Sequence, residues 1–265
     1  MTTEKAPPEQ EPAKPAPLPR TFGLKDVFTC INILGGVASI ICCIEGKLRW
    51  AGYAAILGYG LGDALDGLVA RATNTGNRFG AQFDQAGDHF TQSVVPAFMV
   101  YVYYKPISFW LASALASAII ISGSIRHARG AVASPDFPMA YFGMPRTVSA
   151  FIVLSYLNSS LAGIVSGWWI GGIPLILFCC VAHVLPIPFR THKGRKLQGF
   201  VKYFVFAFFA STALAMIVAP AFTFDVTLFW FVIYSVLSWR EMSNEELREF
   251  FRRFREWSNE VRAAR

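Results

Sequence analysis

Four aspartates, Asp63, Asp66, Asp84 and Asp88, lie within a 26-residue stretch that joins two strongly apolar segments. The chain has only seven aspartates, and the other three, Asp26, Asp136 and Asp225, fall near expected segment ends. An ionised carboxylate is costly in hydrocarbon, so acids at such positions point to function. Asp63, Asp66 and Ala70 are spaced i, i+3, i+7, which places them on one face of a helix. Asp84 and Asp88, at i and i+4, share a face of the next. Two antiparallel helices joined by a short connection then present two carboxylates each toward one another. Four anions in one cavity repel unless cations stand among them. An all-oxygen set suits Mg²⁺, Mn²⁺ or Ca²⁺, and four acids can hold two such ions. Gly67 and Gly80 leave room for a ligand to approach the helices. Arg71, about one turn beyond the acids, can offset a phosphate charge.

The elements that carry these residues follow from composition. Of 265 residues, 54% are hydrophobic and 15% charged, and the mean hydropathy is +0.42; soluble domains average about 25% charged. The chain reads as an all-α polytopic membrane protein, since its apolar runs are far longer than barrel strands. Eight membrane segments are expected, over residues 27–46, 50–72, 82–104, 107–128, 146–163, 167–188, 199–220 and 223–238. Three regions result: a Pro-rich tail over 1–22, a transmembrane catalytic domain over 23–238, and a C-terminal amphipathic helix over 239–265. The first twenty residues hold six prolines and lack an apolar signal core, so a disordered tail is expected there. The five cysteines sit in apolar segments and read as small buried residues. No zinc-type Cys/His spacing, P-loop or Gly-x-Ser-x-Gly elbow is present.

Charge sets the expected orientation. With the N-terminus in the cytoplasm, the loops carry ten Lys and Arg inside and three outside, Lys47, Arg49 and Lys105. Both termini and the acidic motif then face the cytoplasm, in the cell membrane. The net charge of +7 is accounted for by anionic headgroups, with no nucleic acid implied. Near the C-terminus Leu247, Phe250, Phe251, Phe254, Trp257 and Val261 recur at helical spacing, and Ser243 with Glu246 forms a capping box. That pattern predicts an amphipathic helix lying on the membrane or on a partner subunit.

The acidic stretch resembles the signature of the CDP-alcohol phosphotransferases: D-x-x-D-G-x-x-A-R, eight residues, then G-x-x-x-D-x-x-x-D. Here it reads Asp63, Asp66, Gly67, Ala70, Arg71, Gly80, Asp84 and Asp88, with every position filled. The resemblance implies transfer of a phosphatidyl-type group from a CDP-lipid to an alcohol, with release of CMP. It implies six of the helices as a catalytic core, and a homodimer. Asp63, Asp66, Asp84 and Asp88 would hold the divalent metal, with Asp88 also the base for the incoming hydroxyl. Gly67, Ala70, Arg71 and Gly80 would shape the nucleotide pocket. Thr29 and Asn32, in "FTCINILGG", resemble the opening of the serine branch and would also reach the nucleotide.

The stretch "IRHARGAVASPDFPMAYFGMPRTVSA" over 125–150 is similar to a second serine-branch motif. It departs at Gly130, where an aromatic is usual, and at Arg146-Thr147, where a small residue and proline are usual. Serine is therefore the expected acceptor, with inositol phosphate, glycerol phosphate or choline as alternatives for the same chemistry. The acceptor's anionic group needs a cation, and Arg126, Arg129, Arg146 and Arg190 are the candidates. His127 and His183 read as packing or interface residues. A cation transporter is the competing class, but no internal repeat is found and the acids cluster on one hairpin.

Overall fold

The computed structural model describes residues 22–63, 78–132, 140–190, 200–240 and 242–263. Helix α1 (Leu24–Ile44) opens where the buried Asp26 carboxylate accepts the backbone N–H of Gly23 at 2.7 Å. It ends at Gly46, whose φ of +69° is the left-handed conformation that favours glycine. Gly46 N–H donates to Cys43 O at 3.1 Å and Lys47 N–H to Cys42 O at 2.8 Å, which is a Schellman closure. The chain reverses there into α2 (Leu48–Gly58), extended by a π-helical turn over Tyr59–Asp63.

Glycines let these two helices touch backbone to backbone. A Cβ on Gly58 would stand 2.8 Å from Gly35 Cα and 3.2 Å from Asn32 O. One on Gly62 would meet the Asn32 backbone N at 2.5 Å. The other side of α1 meets the next helix, where Thr29 and Ile33 lie against Gly87. Thr29 and Asn32 are therefore held between the two helices that carry the acids.

The next rod is α3 (Arg78–His89), a π turn over Phe90–Val94, and α4 (Val95–Tyr104). Pro96 has no N–H and cannot bond the carbonyl of Gln92, so the wider turn forms just before it. Then follow α5 (Phe109–Val132), α6 (Arg146–Asn158), α7 (Trp168–Val184), α8 (Phe200–Val218), α9 (Thr223–Arg240) and α10 (Asn244–Ala263). Asp225 caps the chain after α6, accepting from Ser159 Oγ and from Ser160 N–H at 3.2 Å. The core is rich in rings: Phe151 stacks on Phe231 at 4.9 Å, with Phe204 and Phe208 around them.

This is an all-α polytopic membrane protein. Leu24–Ile44, Phe109–Gly130 and Pro220–Ser238 are long and apolar enough to cross a bilayer, and Trp168–Val184 and Phe206–Val218 are shorter apolar helices. Large apolar side chains cover the outside, among them Phe206 at 77% and Ile217 at 81% exposure, as a lipid-facing surface requires. Each of the eight expected segments contains a helix. Two of them differ in detail. The fifth segment is α-helical only to Asn158, where a 3₁₀ turn over Ser160–Gly163 takes over. The sixth, expected to reach residue 188, stops at Val184. There the chain enters an antiparallel pair, β1 (Ala140–Phe142) with β2 (Pro188–Arg190), in the register Ala140↔Arg190 and Phe142↔Pro188. Pro186 and Pro188 lack the N–H groups that a continued helix needs.

The C-terminal helix also differs from expectation, because part of its apolar face is covered by its own chain. Phe250 is fully buried, and its ring stacks on Phe142 of β1 at 4.2 Å, with Leu247 and Phe254 beside it. The expected capping box forms: Ser243 N–H donates to Glu246 Oε2 at 2.8 Å and Glu246 N–H to Ser243 Oγ at 3.2 Å. Glu246 also pairs with Arg190 of β2 at 3.2 Å. On its solvent face Glu249 bonds Arg253 and Arg252, which hold its carboxyl below the usual range.

The glycine contact between α1 and α2 generates a stability prediction. Gly58→Val should destabilise the protein by about 1–3 kcal/mol, the usual cost of overpacking. Unfolding midpoints in detergent measure this; an unchanged midpoint would show that the two backbones can separate freely.

Candidate active site

Asp63 ends the π turn after α2, while Asp84 and Asp88 lie one turn apart on α3. Their carboxylate oxygens, one from each residue, all fall within 4.8 Å of one another. Irregular helix flanks the cluster on both sides: Asp63 closes one π turn, and the other begins two residues after Asp88. A π turn rotates the residues beyond it relative to a regular helix, and such turns are frequent at functional sites.

The cluster already recruits cations and donors. Lys25 Nζ, from the first turn of α1, is 3.5 Å from Asp84 Oδ2. Asn32 Nδ2 donates to Asp88 Oδ1 at 3.5 Å, and the Tyr59 hydroxyl bonds Asp63. Asp63 and Asp88 are close enough to hydrogen-bond each other. Two bare carboxylates hold that separation only by sharing a proton or a cation. The donor set is all oxygen at the core, partly exposed, and fits a hard divalent cation.

The other expected site residues divide. Gly80 is buried in the first turn of α3. Thr29 is buried on α1, and its hydroxyl has no hydrogen-bond partner among the described residues. Asp66, Gly67, Ala70 and Arg71 lie outside the described residues. Of the four arginines, Arg146 is in electrostatic reach of Asp63, Asp84 and Asp88. Arg126 donates to Gly143 O at 3.4 Å. Arg129 is spent on structure: it donates to Phe142 O and Val184 O, both at 2.8 Å, and to His183 O at 3.0 Å. It thereby satisfies orphan carbonyls at the C-terminal end of α7, where a cation also suits the helix dipole. Arg190 is paired with Glu246.

Two features were not read from the sequence. His89 joins His127 and Arg146 beside the acids, although its place directly after Asp88 was an available signal. His183 is buried as a packing residue, yet it bridges Ser149 Oγ at 2.6 Å and Ser122 Oγ at 3.2 Å, linking α5, α6 and α7.

Comparison with known proteins gives this geometry a family. Residues 23–180 match the family model described as CDP-alcohol phosphatidyltransferase. The chain belongs to that family. It is thus an enzyme, and the family's general reaction is transfer of a phosphatidyl group from a CDP-alcohol. Among its relatives is a Helicobacter pylori (strain J99) protein named CDP-diacylglycerol–serine O-phosphatidyltransferase, 25% identical over 229 residues, covering 84% of this chain and 93% of the relative. A Methanocaldococcus jannaschii protein of the same name is 25% identical over 218 residues, covering 82% of this chain and 94% of its own. A Candida albicans CDP-diacylglycerol–inositol 3-phosphatidyltransferase is 34% identical over 92 residues, covering 33% of this chain and 40% of the relative.

The geometry predicts the effect of removing one ligand charge. Asp63→Asn should weaken Mn²⁺ binding about tenfold or more, read by titration of the purified protein. A wild-type titration curve would exclude Asp63 as a ligand.

Proposed function

We propose that the protein transfers the phosphatidyl group of a CDP-lipid, CDP-diacylglycerol or CDP-archaeol, to the hydroxyl of L-serine and releases CMP. The observation that carries this reading is the convergence of the Asp63, Asp84 and Asp88 carboxylates within 4.8 Å on two helices of a membrane protein. Relatives named for serine transfer that are covered over most of their length support the choice of acceptor.

Asp63, Asp66, Asp84 and Asp88 would hold two divalent ions, Mg²⁺ or Mn²⁺, which when bound neutralise the diphosphate and steady the charge on departing CMP. Asp88 accepts the proton of the serine hydroxyl. The freed oxygen bonds to the lipid-bearing phosphorus, and the P–O bond to CMP breaks with its electron pair leaving on CMP. Asn32, hydrogen-bonded to Asp88, keeps that carboxylate turned toward the site. Thr29, whose buried hydroxyl has no partner among the described residues, would line the nucleotide side together with Gly67, Ala70, Arg71 and Gly80. Of the candidate acceptor ligands, Arg146 has the strongest support, because it lies in electrostatic reach of Asp88, Asp63 and Asp84.

The remaining assignments are part of the same reading. The Pro-rich segment over 1–22 and the helix after residue 239 flank the transmembrane catalytic domain on the cytoplasmic side. The site opens to the cytoplasm from the cell membrane, and the enzyme works as a homodimer. Inositol phosphate, glycerol phosphate or choline as acceptor would leave the chemistry unchanged.

Two measurements test the proposal. Asp88→Asn should abolish CMP release while CDP-lipid binding stays measurable; near-normal turnover would refute the base. In a side-by-side screen L-serine should support CMP release better than inositol phosphate, glycerol phosphate or choline. No CMP with any acceptor, metal present, would favour a transporter.

A further inference from the structure

Next to the acids lies a second polar cluster, in which Arg146 meets two histidines that have no part in the chemistry above. Arg146 Nη1 is 3.1 Å from His127 Nδ1 and 3.3 Å from His89 Nδ1. The two imidazoles stack, with centroids 5.0 Å apart and planes 29° apart. His89 Nε2 is 3.4 Å from Ser124 Oγ.

This arrangement fixes the protons. Nη1 of a guanidinium carries two hydrogens and cannot accept, so both Nδ1 atoms must accept from it. Both rings are then neutral and carry their hydrogen on Nε2, which for His89 points at Ser124. Arg146 is held by two neutral acceptors and keeps its whole positive charge. A carboxylate partner would cancel that charge, as Glu246 does for Arg190. Nη2 and Nε lie outside these two bonds. Arg146 is also the first residue of α6, a 13-residue helix whose first N–H groups have no intrahelical acceptor and favour an anion. An anionic acceptor approaching three carboxylates needs such a cation at hand.

We infer that His127 and His89 are positioning residues: they fix the Arg146 guanidinium so that its remaining edge binds the anionic group, carboxylate or phosphate, of the acceptor alcohol. The inference rests on the transferase reading above. A guanidinium held in this way offers planar, two-point recognition that a mobile one does not.

The test is steady-state CMP release by the full-length protein in detergent or proteoliposomes. The acceptors are L-serine, glycerol 3-phosphate, inositol phosphate, and serinol, which lacks the carboxylate. His127→Ala should raise KM for the preferred anionic acceptor about tenfold, the fold-change of one charge-assisted hydrogen bond. KM for the CDP-lipid and Mn²⁺ affinity should not move, and discrimination against serinol should shrink by the same factor. His127→Asn, whose amide oxygen can replace Nδ1, should restore most of the loss. The preferred acceptor shows whether the bound anion is a carboxylate or a phosphate. An unchanged acceptor KM in His127→Ala overturns the inference and leaves the transferase reading standing. So does a parallel loss of CDP-lipid and Mn²⁺ affinity, or Asn behaving like Ala. Absence of CMP release by the wild type with every acceptor overturns both.

Discussion

Three carboxylates within 4.8 Å of one another repel, and the fold has to hold them together. Each unit charge at that range opposes its neighbour by about 3–4 kcal/mol at the effective dielectric of a protein surface. That repulsion pushes the two acid-bearing segments apart, which is why the surroundings look as they do. Lys25 and Asn32 reach in from α1, the Tyr59 hydroxyl from α2. The glycines at 35, 58 and 62 bring α1 against α2 so closely that their backbones touch, and Gly87 admits Thr29 on the other side. Helix α1 thus acts as a wedge of donors between two acid-bearing helices. What these groups only partly offset, a divalent cation held by Asp63, Asp84 and Asp88 would offset further.

The same economy of charge runs outward from the site. Arg129 neutralises the carbonyl end of α7, Arg190 anchors the C-terminal helix through Glu246, and Arg146 lies in reach of the acids. Three arginines that look alike in the sequence therefore sit in different surroundings. The β1–β2 pair is the frame for two of them: it presents Phe142 to Phe250 and sets Arg190 opposite Ala140.

Local rules made much of this legible. Helical spacing alone put Asp84 and Asp88 on one face, and each of the eight apolar runs contains a helix. The capping box at Ser243 and Glu246 formed as its spacing predicts. What stayed hidden depends on contacts between distant residues. A three-residue strand has no periodicity to detect, and β1 and β2 are joined only through the whole of α6 and α7. The docking of Phe250 could not be told from a lipid-facing ring, because both demand the same apolar stripe. Positive-inside bias places arginines at cytoplasmic helix ends whatever their role, so it could not separate Arg129 from Arg146. His89 and Arg146 stand 57 residues apart on different helices, so spacing along one helix could not pair them.

The most direct test of this account is a high-resolution structure with Mn²⁺ present, phased to show anomalous scattering. The account predicts a peak bounded by Asp63, Asp84 and Asp88, with Lys25 no longer the cation nearest Asp84. Carboxylates turned apart, with no peak between them, would contradict it.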